Sequence, residues 1–280
     1  MSYGWPVMPF GQQHPVRGFF GDPRIGDQGG TSFHFGIDVS VPDGTSVYSV
    51  VAGTVHLNVA GGPQNIAVTS PGVTHGYWHV VPAVADGQHV GQGALLGHVA
   101  PTWGHVHCAE RTPGGPYLNP LRAGALAPFS KQQPPTVDRI LAERQGHRLD
   151  PNALTGIVDL IAEAHDVTPI PPLVPYTHMP VTPALVRWRL VAHATEVVPW
   201  RTIADFRNAL PDNSLYDTIY AHGTTQNHPP TAGLYRFRLA AAFDTTHHPD
   251  GSYRLDVEVA DIRGNSSRGH LTIQLANAEV

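Results

Sequence analysis

Hydrophobic and polar residues alternate with a period of two in four segments of the last hundred residues. Apolar side chains occupy every second position of residues 186–190, 235–239, 253–259 and 271–275, with charged or polar residues between them. Because successive side chains of a β-strand point to opposite faces, this pattern predicts strands with one buried face. The turn-forming residues 261–265 separate the last two segments and predict a hairpin.

Shorter apolar runs, broken by glycine, dominate the first 125 residues. Residues 44–55 are rich in β-branched side chains, and 65–68, 76–81 and 95–99 are further candidate strands. Runs of this length between turn signals are typical of short antiparallel strands. The sequence therefore predicts a mainly β protein throughout.

A polar, proline-rich run near residues 128–137 marks a boundary between these two patterns. We expect a first domain over residues 1–128, a linker over 129–136 and a second domain over 137–280. The alternating strands of the second domain predict an immunoglobulin-like β-sandwich. A short helical stretch is expected over residues 137–144, and the proline-rich residues 167–183 are expected to form a loop.

Composition supports this division and narrows the functional classes. A chain of 280 residues with 41% hydrophobic residues can bury two cores, and 29 glycines and 27 prolines favour turn-rich β-structure. The formal net charge is −5 and no basic stripe is visible, which argues against a nucleic-acid partner. No apolar run is long enough to predict a transmembrane segment, and the first residues lack the pattern of a signal peptide. The single cysteine, Cys108, excludes a disulfide framework within the chain.

Histidine motifs carry the candidate chemistry. His34 and Asp38 can supply a nitrogen and an oxygen ligand from one short segment, and His107 can complete a three-ligand zinc site from a distant strand. His105 lies two residues before His107, so both project from the same face of a strand. His79 is a further candidate beside the site. Each motif alone is common by chance in a chain with 18 histidines. Only the order and context of the motifs together indicate a functional site.

The segment from about residue 14 to 121 resembles the M23 metallopeptidases, the lysostaphin and LytM group. The resemblance rests on a Phe-Gly turn followed by an arginine, a Phe-His-x-Gly-Ile-Asp motif, a Tyr-x-His motif, a His-x-His motif with a glutamate three residues on, and an Asn-Pro pair. These are found at residues 20–24, 33–38, 77–79, 105–110 and 119–120. Trp103 stands in an unusually short span before the His-x-His motif, and Cys108 replaces the usual phenylalanine after it.

This resemblance implies that one Zn²⁺ per chain is bound by His34, Asp38 and His107, with His79 and His105 as catalytic histidines. The implied activity is hydrolysis of peptide bonds in peptidoglycan stems or cross-bridges by zinc-activated water. Two substrate contacts are expected, at Tyr77 and Trp103.

The resemblance also implies an extracellular, periplasmic or cell-wall location, with a second domain that binds cell wall or a protein partner. The alternative is a non-catalytic M23-like module that binds or regulates in cell-envelope assembly. The presence of all five metal and histidine positions favours the enzyme.

Overall fold

A computed structural model describes residues 2–26 and 30–277, and its regular structure is almost entirely β. The strands of the first half are β1 Val16–Gly18, β2 Pro23–Ile25, β3 Thr31–Phe33, β4 Ile37–Ser40, β5 Ser46–Tyr48, β6 Gly53–Leu57, β7 Asn65–Ser70, β8 Val73–Trp78, β9 Val80–Pro82, β10 His89–Val90, β11 Leu95–Val99, β12 His105–Arg111 and β13 Tyr117–Leu118. The strands of the second half are β14 Thr136–Arg144, β15 His147–Arg148, β16 Ile157–His165, β17 Leu185–Ala192, β18 Thr195–Asp205, β19 Arg236–Asp244, β20 Gly251–Ala260 and β21 Ser266–Leu275. Within residues 2–26 and 30–276, the helices are α1 Tyr216–Ile219 and the short 3-10 turns Val59–Gly61, Asn213–Leu215 and Thr245–His247.

An eight-stranded antiparallel sheet forms the centre of the first half. Its order is β1-β4-β12-β8-β7-β6-β10, and β13 pairs with the end of β12. A three-stranded sheet, β5-β11-β9, and the β2-β3 ribbon complete this half. The adjacent strands β4 and β12 are buried along nearly their whole length, so side chains that they carry are held in a fixed environment. The predicted mainly β, antiparallel fold is confirmed.

Two four-stranded antiparallel sheets form the second half, in the orders β15-β14-β16-β19 and β18-β17-β20-β21. The alternating apolar residues of β17 and β20 are buried, and the predicted hairpin joins β20 to β21. The paired sheets are compatible with the predicted immunoglobulin-like sandwich, which stays an interpretation. No strand is assigned in the proline-rich residues 167–183.

The helix expected over residues 137–144 is wrong, because this segment is strand β14. Its apolar residues Val137, Ile140 and Leu141 have the spacing of a helix face. In the structure the spacing comes from a register shift against β16 between Val137 and Arg139, which interrupts the alternation of the strand.

One hydrophobic core joins the two halves of the chain. The ring of Phe206 packs against Phe33 and lies over Gly21, where an added Cβ would meet it at 2.5 Å. The segment expected to be a linker is also packed, since Phe129 and Lys131 within it are buried. The described sheets each stay within one half, although a β-bridge joins Leu118 to Ala209 across the halves. The division into domains remains a prediction.

The described residues contain no helix with the length and hydrophobicity needed to cross a bilayer.

Candidate metal centre

Three neighbouring strands carry a row of side chains on one face of the large sheet. In the antiparallel register His107 on β12 lies opposite Asp38 on β4 and opposite Trp78 on β8. Residues paired across strands point to the same face, and His105, two residues before His107, points there too. His34 reaches the same place from the connection between β3 and β4. The structure thus brings together all the histidine and aspartate positions predicted for the metal.

Three ligand atoms converge at this point. Nε2 of His34 lies 3.0 Å from Oδ1 of Asp38 and 2.8 Å from Nδ1 of His107, and that Nδ1 lies 3.0 Å from the same carboxylate oxygen. Ligand atoms around a tetrahedral zinc ion with bonds of about 2.0–2.1 Å stand about 3.3 Å apart. The observed cluster is therefore close to the geometry of three ligands of one metal ion, and these residues could hold a metal.

The tautomer of His34 suits a metal ligand. Its Nδ1 lies 2.8 Å from the backbone carbonyl oxygen of Phe19 and donates to it, which leaves a lone pair on Nε2. That lone pair faces the Asp38 carboxylate and Nδ1 of His107. Electron-pair donors this close repel one another unless a proton or a cation lies between them. Nε2 of His107 is buried with no hydrogen-bond partner within the described chain, so this ring is not held by a bond on its far side.

Burial and neighbouring charges set the protonation states of the cluster. Burial lowers the pKa of His34 to about 3, so its ring is neutral near pH 7. Burial alone would raise the pKa of Asp38, but the surrounding histidine side chains, first His34 and then His105, hold it well below its usual value. A neutral imidazole beside an ionised carboxylate is the donor set that zinc binds in proteins.

Arg24 holds the second oxygen of the metal-site carboxylate. Its Nη2 lies 2.9 Å from Oδ2 of Asp38, which leaves Oδ1 for the cluster. The backbone of β1 passes so close that a Cβ on Gly18 would lie 2.5 Å from Oδ2 and 2.9 Å from Nη2 of Arg24. Asp22 lies behind this pair, 1% exposed, and burial raises its pKa to about 7.

His79 and His105 flank the cluster on one side. Nε2 of His105 lies 3.5 Å from Oδ1 of Asp38, and its ring centroid is 4.6 Å from that of His79. Burial lowers the pKa of His105 to about 4 and that of His79 to about 3. In a regular strand, His79 would point to the opposite face from its neighbour Trp78. His79 lies just after the end of β8, however, and its φ of 67° is not that of extended backbone, so this alternation does not apply to it.

Trp103 stacks on the ring of His79, with 3.6 Å between the centroids and 18° between the planes. The turn that carries Trp103 is tied down by Asp43, whose carboxylate accepts hydrogen bonds from the backbone nitrogens of Thr102 and Gly104. The indole is 41% exposed and lines the cleft, which is the position expected of a substrate contact.

Tyr77 is not brought to the cleft. It is 1% exposed, and its hydroxyl accepts a hydrogen bond of 2.8 Å from the backbone nitrogen of Val50 in the core. Alternation along β8 explains this placement, because Tyr77 points to the face opposite its neighbour Trp78. The structure gives Tyr77 a packing role and does not support the expected substrate contact. Cys108 is a free, buried residue, as expected.

Several cleft residues were not identified from the sequence. Phe35 and Trp78 pack on the ring of His107, with centroids 4.5 Å and 5.1 Å away. Both residues lie within the histidine motifs at residues 33–38 and 77–79, so their positions in the sequence could have identified them as cleft residues. Asp22 lies within the Phe-Gly turn motif but was not identified as a site residue. Arg17 and Ser32 also line the cleft outside any recognised motif, and Tyr176, Gln226 and Asn227 reach it from the second half of the chain.

Comparison with known proteins agrees with this geometry. The family model described as Peptidase family M23 matches residues 32–120. No curated protein matches the sequence.

Solved structures with similarity to the chain include three peptidases. A zinc-containing peptidase from Vibrio cholerae is 22% identical over 40% of this chain and 37% of its own, with a TM-score of 0.33. The catalytic domain of lysostaphin from Staphylococcus simulans is 24% identical over 34% of this chain and 77% of its own, with a TM-score of 0.29. A mutant catalytic domain of the prophage-encoded M23 protein EnpA from Enterococcus faecalis is 24% identical over 43% of this chain and 98% of its own, with a TM-score of 0.33.

The chain thus spans little more than a third of the Vibrio protein, and these similarities are too low to transfer a substrate. The family match is independent of them and covers the three candidate ligands together with His79 and His105. Residues 32–120 are therefore a domain of peptidase family M23.

Proposed function

We propose that this chain is a zinc-dependent endopeptidase that hydrolyses peptide bonds in peptidoglycan stems or cross-bridges. The observation that carries the proposal is the convergence of His34, Asp38 and His107 on one point, with two further histidines facing the same point. The peptidoglycan substrate and an extracellular, periplasmic or cell-wall location rest on the family match alone.

His34, Asp38 and His107 would hold one Zn²⁺ through Nε2, Oδ1 and Nδ1. When bound there, zinc supplies Lewis acidity, which polarises a carbonyl group and lowers the pKa of water. The chain's own part is to hold these three ligands in place. Phe19 fixes the orientation of His34 through its carbonyl oxygen, and Arg24 fixes that of Asp38 through Oδ2.

His105 and His79 are placed to move protons at the reacting bond. Nε2 of His105 points towards the oxygen that would bind zinc, so it can take a proton from water at the same face. His79 lies beside it, and the stacked ring of Trp103 restricts its motion. A peptide in the cleft would lie between these rings and the aromatic wall made by Phe35 and Trp78.

Digestion of purified bacterial cell walls tests this function. The zinc-loaded chain should release new amino and carboxyl termini, identified by mass spectrometry of the soluble fragments. His105→Ala should bind zinc and release none. A folded, zinc-loaded wild-type chain that releases no termini would instead favour the non-catalytic binding or regulatory module.

A further inference from the structure

Arg17 lies in the wall of the cleft and forms no ion pair with a carboxylate of the described residues. Its Nη2 is 2.6 Å from Nδ1 of His105, and its guanidinium carbon is 4.2 Å from the ring centroid of Tyr176. The other cleft arginine, Arg24, is paired with Asp38. Across residues 2–26 and 30–277, no ion pair joins Arg17 to a carboxylate. An arginine held against an aromatic ring but without an anion is suited to bind one from solution.

The contact with His105 leaves the guanidinium available. Nδ1 of His105 also lies 2.8 Å from the carbonyl oxygen of Trp103. This nitrogen either donates a hydrogen to that oxygen or accepts one from Arg17, and it cannot do both at once. The Arg17–His105 bond is therefore one of two alternatives, and it engages one of the five N–H groups of the guanidinium.

The ring that packs against Arg17 comes from the second half of the chain. Tyr176 belongs to the 167–183 segment, which reaches back to the metal site. The backbone nitrogen of Leu173 donates to Oγ of Ser40 on β4, and that of Thr182 donates to Oδ1 of Asp22. These two bonds, on either side of Tyr176 in the sequence, fix its ring beside the cleft.

Arg17 stands between two depressions of the surface. One contains the metal centre, and the other is lined by Ser40, Asp43, Trp103 and the tip of the 167–183 segment. Nη2 of Arg17 lies 2.6 Å from His105, whose Nε2 lies 3.5 Å from Asp38. The two groups are therefore no more than about 8 Å apart, a span of at most two to three residues of extended peptide. A peptide that crosses the metal centre towards the second depression must pass Arg17.

The charges around Arg17 favour a carboxylate. The Asp38 carboxylate is already shared by Arg24 and the metal ligands, and Asp22 is buried behind them. The Asp43 carboxylate is turned towards the backbone nitrogens of Thr102 and Gly104, in the turn that carries Trp103. A zinc ion adds two further positive charges. The planar guanidinium can bind a carboxylate through two parallel hydrogen bonds.

We propose that Arg17, held by the ring of Tyr176, is a subsite for a free carboxylate of the peptide substrate, at most two to three residues from the bond that is cut. The substrate class is then a peptide with a terminal carboxylate or an acidic side chain at this distance. The proposal rests on the proposed peptidase function. It further specifies that the chain recognises a carboxylate of its substrate.

The test compares two forms of one substrate. Cell walls are prepared with their free carboxylates intact or converted to amides with carbodiimide and ammonium chloride, and cleavage is followed by the release of new amino termini. We expect amidation to lower the cleavage rate of the wild-type chain by about tenfold or more, mainly through KM. Arg17→Gln should cut both preparations at the same low rate. Tyr176→Leu should reduce the preference for carboxylates, whereas Tyr176→Phe keeps the ring and should preserve it.

A matched control is Arg111→Gln, because Arg111 also stacks on a tyrosine, Tyr117, but does not line the cleft. Its preference should equal that of the wild type. If the wild type cuts both preparations equally, the subsite is wrong while the peptidase function stands. An equal loss of kcat on both preparations in Arg17→Gln, with the wild type indifferent to amidation, would assign Arg17 only to positioning His105. Failure to cut either preparation would overturn the peptidase function and the subsite together.

Discussion

The replacement Asp166→Asn should change how the stability of this protein depends on pH. Asp166 is 1% exposed and accepts a hydrogen bond of 2.8 Å from Nζ of Lys131, which lies 3.5 Å from Asp261 as well. One buried cation thus faces two carboxylates. Oδ2 of Asp166 has no partner within the described chain. Asp166 also exchanges two backbone hydrogen bonds with Val181, and this pair closes the base of the segment that carries Tyr176.

Burial raises the pKa of Asp166 from 3.8 to about 6, although Lys131 offsets part of the effect. A raised pKa means that the folded chain keeps the proton after the unfolded chain has released it. The stability contributed by this group is therefore complete below about pH 4 and is lost as the pH rises through about 6. Each tenfold step in acidity is worth 1.36 kcal/mol, so the loss is about 3 kcal/mol. Because asparagine does not ionise, Asp166→Asn should not show this loss of stability as the pH rises.

Urea unfolding between pH 4 and pH 7, with a chelator present, measures the effect. The difference in unfolding free energy between the wild type and Asp166→Asn should shift by about 3 kcal/mol across this range, in the direction that favours the variant at pH 7. Asp217→Asn, an exposed aspartate on α1, should follow the wild type at every pH. Parallel curves for Asp166→Asn and the wild type would refute the reasoning.

Three further substitutions separate packing from function. Tyr77→Phe leaves the backbone nitrogen of Val50 buried without an acceptor, so the free energy of unfolding should fall by about 1–3 kcal/mol in urea titrations while zinc content stays unchanged. Trp103→Ala removes a ring stack worth about 0.5–1.5 kcal/mol, so the rate of cell-wall cleavage should fall by about two- to tenfold at unchanged zinc content. Gly18→Ala places a Cβ against the Asp38 carboxylate, so zinc affinity measured by competition with a chelator should weaken by about 10- to 100-fold.

Each of these substitutions has a matched control. Tyr48→Phe, Trp200→Ala and Gly91→Ala change residues of the same types outside the cleft, and a Cβ on Gly91 would meet no atom within 4 Å. Tyr48→Phe should cost less stability than Tyr77→Phe, Trp200→Ala should keep the cleavage rate and Gly91→Ala should keep the zinc affinity. Loss of zinc from Tyr77→Phe, or unchanged behaviour of Trp103→Ala or Gly18→Ala, would contradict the corresponding assignment.

Local pattern was sufficient to predict many of the strands, whereas the candidate metal ligands also required the resemblance to a known family. Alternation predicted the strands around Trp188 and Leu255, because these strands bury one face along their length. Spacing marked His34 and Asp38 within one short segment and His105 two residues before His107. Each spacing alone is common by chance, and the resemblance to the M23 metallopeptidases singled out these positions as ligands.

Long-range contacts and local irregularities could not be predicted in this way. Tyr176 contacts Arg17 although the two residues are 159 positions apart in the sequence. The local sequence pattern around each residue gives no indication of that contact. The register shift in β14 gave this strand the apolar spacing of a helix. The backbone of His79 is not extended, so strand alternation could not predict the side of the sheet on which its side chain lies. Such features arise from packing between elements, which outweighs local propensity.

The bound metal of the purified chain is the property on which the proposed zinc site and peptidase function both depend. The wild type, His107→Ala and Asp38→Ala are purified without added zinc and analysed for bound metal, with His98→Ala as a control because His98 is an exposed histidine outside the cluster. We expect about one zinc per chain in the wild type and in His98→Ala, and loss of zinc in the other two variants. A folded wild type that carries no zinc and takes up none when it is added would contradict the proposed metal centre and the peptidase function built on it.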